Sequence, residues 1–127
     1  MTKKFLLIFI FIFGFANYSL SASSSSNGSS KIKSDYEKAV SLIKSAKKYD
    51  MKGKSDKAEK RYKKAFKLLL VSNKKKPNNP DILNYLGFTS RKLGEFEKGE
   101  NYYLEGLAIE PNHIGINEYL GELYVVT

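Results

Sequence analysis

The chain of 127 residues contains no cysteine and no tryptophan, a single histidine and three prolines. Without cysteine there is no disulfide framework, no thiolate nucleophile and no lipid-modified cysteine behind a signal sequence. Stability must therefore come from packing. The one imidazole, His113, has no acid at metal-binding spacing beside it and reads as a turn residue. There is no Gly-rich phosphate loop, no Ser-His-acid constellation and no zinc spacing. Glu95, Glu97, Glu100 and Glu105 fall on a helix surface and read as a solvated face rather than paired catalytic carboxylates. The chain is accordingly expected not to be an enzyme and to need no cofactor or metal.

Long apolar runs are also scarce, and the one present is at the start. Lys3 and Lys4 precede an unbroken apolar stretch from Phe5 to Phe15, followed by small residues through Ser19-Leu20-Ser21 and Ser21-Ala22-Ser23. This is the pattern of a cleavable signal peptide. The run is about half of the roughly 20 residues a spanning helix requires, so export with cleavage is favoured over a retained anchor. Residues 1–22 are read as the signal peptide and 23–34 as a Ser-rich disordered linker, with an Asn27-Gly28-Ser29 sequon inside it. The remaining 35–127 suffice for one small domain. Export places the protein in the periplasm or outside the cell.

Charge of one sign is rare in each half. From Lys31 to Lys76 there are 17 Lys and Arg against 5 Asp and Glu, a balance of +12; from Pro77 to Thr127 there are 3 against 8, a balance of −5. The domain is expected to have a basic end and an acidic end, a field that steers anionic and cationic partners to opposite ends within a Debye length of about 8 Å. A lysine-rich surface that serves only solubility accounts for the same composition.

What the chain does contain is an echo of itself. Pro77, Tyr85, Leu86 and Gly87 recur thirty-four residues later as Pro111, Tyr119, Leu120 and Gly121. Thirty-four is the period of a two-helix repeat, and a single such unit cannot bury its own apolar face. Helical spacing agrees. Tyr36, Ala39, Val40, Ile43, Ala46 and Tyr49 form one stripe behind Ser34-Asp35; Ala58, Tyr62, Ala65, Phe66 and Leu69 form a second that runs to about Lys75. A second pair begins at Pro80-Asp81, breaks at Gly94 and resumes from about Glu95 to Ile109. A further first helix starts near Ile114, and the chain given ends at Thr127.

These residues resemble the tetratricopeptide repeat. The central unit supplies Leu86-Gly87, Gly94, Phe96, Tyr103 and Pro111, with Gly99 and Gly106 at the two inward small positions; the first supplies Ala46, Tyr49, Gly53, Ala58, Tyr62 and Ala65. The resemblance covers about 36–127 and implies an all-α fold, a right-handed superhelical array of antiparallel helix pairs, or α-solenoid. About two and a half repeats are expected: units of about 36–77, 80–111 and an incomplete 114–127. From Gly106 to Pro111 is five residues but from Ala65 to Pro77 twelve. The excess of two helical turns preserves helix facing and is expected to project Ser72 to Lys76 as a basic prong beyond its neighbours. The chain also resembles small exported bacterial tetratricopeptide proteins in which a further helix and a cysteine-containing tail follow. These are not in the sequence, so it is read as a fragment lacking them in preference to an open last helix, whose Tyr119, Leu120, Leu123 and Tyr124 face would invite a partner or self-association.

In the resembled family, peptides lie in the concave groove lined by the first helix of each pair. Projected onto this chain, that face carries Lys47 and Asp50, then Asn84, Phe88, Arg91 and Lys92, then Glu118 and Glu122. Phe88 reads either as an anchor for an apolar side chain or as a ring covered by a neighbouring helix. The clamp that grips the carboxylate tails of heat-shock chaperones is not recognisable, because the matching positions hold Ile43, Lys47, Tyr85, Gly115 and Tyr119. The first expectation is thus a scaffold that binds a protein or peptide. The alternative is docking to an anionic envelope polymer or membrane through Lys57, Lys60, Lys63, Lys64, Lys67, Lys74, Lys75 and Lys76. Nucleic acid is not an expected partner of an exported chain, although such a surface attracts it.

Overall fold

The computed structural model describes residues 32–127; the expected signal peptide, the sequon and nearly all of the linker lie outside them. Five helices follow in order, α1 (Asp35–Met51), α2 (Ser55–Lys75), α3 (Pro80–Lys92), α4 (Phe96–Ile109) and α5 (Ile114–Val126), with no strand among the described residues. None of them is long and apolar enough to cross a membrane.

Local chemistry explains where each first helix begins. Ser34 caps α1 in a reciprocal box: its hydroxyl accepts from the Glu37 amide, while the Glu37 carboxylate accepts from the Ser34 amide at 2.8 Å. Asn79 caps α3, with Pro80 in the first turn, and His113 caps α5 through a ring nitrogen that accepts from the Ile116 amide at 3.1 Å. The ends of α1 and α3 are also alike. Gly53 (φ +68°) and Gly94 (φ +80°) turn left-handed, and the Lys54 and Glu95 amides donate back to the Tyr49 and Ser90 carbonyls. This is the Schellman closure, which an L side chain at the glycine would strain.

Side-chain pairing gives the topology. Asp35 at the start of α1 meets Lys75 at the end of α2, and Ser45 meets Arg61, so these two helices are antiparallel. The α3–α4 pair is antiparallel as well: Gly99 backs onto the Gly87 carbonyl and Arg91 amide, and Gly106 onto Leu83. Helix α5 returns along α4, bringing Tyr124 to Glu100, and lies parallel to α3, bringing Tyr119 to Phe88 and Glu122 to Arg91. The expected all-α array of antiparallel helix pairs, two complete pairs and a further first helix, is the architecture observed.

Helix α3 sits in the middle and is buried nearly all round, from Ile82 through Ser90 apart from a half-buried Tyr85. Small residues let the helices close on it. Tyr103 lies over Gly87, where a methyl group would strike its ring, just as Tyr62, sixteen residues after Ala46, is fully buried in the first pair. The remaining core is Ala39, Ile43, Ala58, Ala65 and Leu69 with Leu83 and Leu86 on one side, and Ile116, Leu120 and Leu123 on the other.

The lengthened second helix is present, 21 residues in α2 against 14 in α4. The prong needs correction. Ser72 is buried with its hydroxyl donating to the Leu68 carbonyl, and Lys75 pairs with Asp35. The two extra turns lie against the start of α1 rather than standing clear, because α1 has 17 residues and reaches equally far.

Candidate functional site

Helices α1, α3 and α5 run side by side, and the residues projected for the groove lie along them. Their charges pair from helix to helix. The Asp50 carboxylate of α1 takes Lys92 of α3 at 2.8 Å, and Arg91 of α3 reaches Glu122 of α5 at 2.6 Å. Lys47 spans farthest: its ammonium donates to the Tyr119 hydroxyl at 3.0 Å, passing over the Phe88 ring at 4.5 Å from its centroid. A contact from α1 to α5 across α3 means the three helices converge on this side, which makes it the inner face.

Phe88 is not available as an anchor. It is 3% exposed, edge-on to Tyr62 at 5.9 Å and tilted against Tyr119 at 4.9 Å, with Lys47 and Arg91 above it. The reason is the central position of α3, which packs one side of Phe88 on the first pair and the other on α5. Asn84 is also buried, its amide nitrogen beside Gly115 and its Oδ1 without a hydrogen-bond partner. The inner surface open to solvent thus consists of charged groups on an aromatic floor. Cations over ring faces at this range gain about 0.5–2 kcal/mol, more as they are desolvated.

Two charged groups of the inner set have no ion-pair partner among the described residues. Lys47 is half-buried and held by Tyr119 alone, and Glu118 stands exposed on α5. Lys92 pairs with Asp50, and Arg91 with Glu122. Burial pushes the Tyr62 hydroxyl up, and its hydrogen bond to Asp50 at 2.8 Å pushes it further, so it remains a donor at any physiological pH.

Asp50 has a testable titration. Its partial burial acts to raise the pKa, but the hydrogen bonds from Lys92 and Tyr62 and the Lys92 charge outweigh it, leaving the carboxyl below the ordinary 3.8. A carboxylate depressed by folding contributes its full stabilisation above the unfolded value and loses it as pH falls through the folded one. The wild type is expected to lose stability more steeply than Asp50→Asn below about pH 4. Urea midpoints measured from neutral to strongly acidic pH check this; parallel curves contradict it.

The basic set lies on α2 and the turn after it, every member exposed. Lys63 pairs with Glu59 and Lys75 with Asp35, while Lys57 lies 5.8 Å from the Tyr49 ring centroid. Lys60, Lys64, Lys67, Lys74 and Lys76 have no acidic partner among the described residues. His113, read as a turn residue, does more than turn the chain. With Nδ1 accepting from Ile116, its ring proton sits on Nε2 and is donated to Asp81 at 2.9 Å, joining α5 to the start of α3. The Asn-Pro and Pro-Asn-His sequences beside the two repeat starts were the available signal, but pairing across thirty-two residues is tertiary. Among the described residues no three His, Asp or Glu side chains converge as a metal site would require.

The fold and this face define an all-α helical-repeat protein with a charged inner surface. No protein-family model and no curated protein matches the chain. Among solved structures, the first TPR of Spaghetti (RPAP3), bound to the HSP90 peptide SRMEEVD, is similar to it with a TM-score of 0.47 and 18% sequence identity, over 75% of this chain and 97% of that one.

Proposed function

We propose that the chain is an exported, non-enzymatic scaffold that holds an extended segment of a partner protein against the inner face of α1, α3 and α5. The observation that carries the reading is Lys47, a half-buried cation fixed over two rings by the Tyr119 hydroxyl with no acid among the described residues to neutralise it. An orphan cation beside an aromatic floor favours an acidic side chain, and Glu118 across the face favours a basic one. The segment this face fits carries an acidic residue and, some residues away, a basic residue. The sequence before Ile32 supports export.

A displayed random peptide library selected on immobilised protein tests the groove. Enriched peptides are expected to carry that acidic and basic pair, and Lys47→Ala is expected to weaken them by about tenfold, or 1.4 kcal/mol. Charge reversal at Lys60 and Lys64, on the other helix layer, should leave them unchanged. Selected peptides indifferent to Lys47 would rule the assignment out. The second reading, docking to an anionic envelope surface, is supported by the run of unpaired, exposed lysines on α2; it calls for binding that the Lys60 and Lys64 reversal abolishes and Lys47→Ala does not touch.

A further inference from the structure

The two extra turns of α2 build something that a repeat of ordinary length lacks. They close one side of a cleft of about 510 Å³ whose other walls are the starts of α1 and α3. Its volume lies within the range of small-molecule sites. Four lysines line it, Lys33, Lys38, Lys75 and Lys76, against two acids, Asp35 and Asp81.

The acids are already engaged. Asp35 accepts from Lys75 at 2.8 Å and lies 3.7 Å from Lys38; the Lys75 hydrogen bond and charge hold this partly buried carboxyl below the ordinary range. Asp81 accepts a hydrogen bond from His113 Nε2 at 2.9 Å. Lys33 and Lys76 have no acidic partner among the described residues. The cleft therefore carries an excess of two positive charges. Tyr36 adds a neutral donor, since burial and the Asp81 charge push its hydroxyl up to about 12. Apolar surface from Ile32 and Ile82 lies beside these groups.

We propose that this cleft binds a phosphate group, carried by a phospholipid headgroup or by a free phosphorylated ligand. The cations are all lysines, point charges that bind phosphate without imposing the bidentate geometry of a guanidinium fork. A dianionic phosphomonoester, or a diester with a second anionic group, matches the excess of two. Its lysines lie at the start of α1 and the end of α2, about three helical turns along α1 from Lys47, and the proposal stands if the groove assignment fails.

The test uses residues 31–127, which form a compact unit containing the whole described core. Glycerol 3-phosphate is titrated against isotope-labelled protein, and amide shifts are followed. Saturable shifts at Lys33, Asp35 and Tyr36 and at Asp81 and Ile82 are expected, weakened at least about tenfold by Lys33→Glu with Lys76→Glu. Neither of those lysines has an internal ion pair, so the fold should persist, which circular dichroism checks; Lys33→Gln with Lys76→Gln repeats the experiment without new charge. Lys60→Glu with Lys64→Glu makes the same net charge change away from the cleft and should have little effect. Shifts that do not saturate, or equal weakening by both reversals, would overturn the proposal in favour of a diffuse basic field. The source is read from vesicles: binding to phosphatidic acid, a lipid phosphomonoester, in phosphatidylcholine that glycerol 3-phosphate displaces identifies a lipid headgroup, and binding of glycerol 3-phosphate without vesicle binding identifies a free ligand.

Discussion

Replacing Phe88 by alanine is expected to destabilise the protein by about 3–5 kcal/mol, the range for removing a buried aromatic side chain. Phe88 is packed edge-on to Tyr62 and against Tyr119, so its loss opens a cavity between the first helix pair and α5. It also takes the ring from beneath Lys47, which lies 4.5 Å from its centroid. For a domain of this size the melting temperature should fall by more than about 10 °C, and a large share of the chains should be unfolded at 37 °C. Thermal and urea unfolding followed by circular dichroism measure it. A change within about 0.5 kcal/mol, as for a surface residue, would mean that Phe88 is not where the fold puts it. The same expectation makes Phe88→Ala unsuitable as a probe of binding, and Lys47 the residue to change instead.

Two glycines that the sequence presents as equivalents are expected to respond with opposite signs. Gly87 and Gly121 follow identical Tyr-Leu pairs. A methyl group at Gly87 runs into the Tyr103 ring, which is fully buried and has nowhere to move; one at Gly121 meets nothing within 4 Å. Gly87→Ala should therefore cost about 1–3 kcal/mol, the ordinary toll of overpacking, reduced by what alanine gains as a helix former. Gly121→Ala should gain up to about 1 kcal/mol from helix propensity alone. Parallel urea titrations of the two variants decide it, and a shift of the same sign and size in both would contradict the packing of Tyr103 on α3. The idle glycine has a physical meaning: α4 covers α3 at this position, and no described helix covers α5 there.

The helices were legible because their chemistry is local. Ser34 with Glu37, Asn79 with Pro80, and the left-handed glycines at 53 and 94 mark ends by bonds that span no more than five residues. Small residues at Ala46, Gly87, Gly99 and Gly106 announced close helix approach, and the seven-residue excess in α2 could be counted. Burial of polar groups was not legible. Asn84, projected onto the groove, is buried, as are the polar Thr89 and Ser90, because α3 packs against α1, α2, α4 and α5. Phe88 was left open between two readings for the same reason: spacing along one helix does not say how many others surround it.

The candidate sites divide along the same line. Which residues share the inner face followed from the repeat register, thirty-four residues between the second and third units and forty-one between the first and second, where α2 is longer. Which of them are already paired did not, because Asp50 finds Lys92 and Arg91 finds Glu122 only once neighbouring helices are in place. The basic prong was read as a projection, and contact with the start of α1 turned it into the wall of a cleft.

By itself, the amino-acid order determined the helix pairs, their boundaries and their repeat, since caps, turns and apolar stripes act within a few residues along the chain. Tertiary structure alone decided which charges are spent on one another, which ring is covered and where open space is left. Those depend on distances between groups forty or seventy residues apart, and only packing sets them.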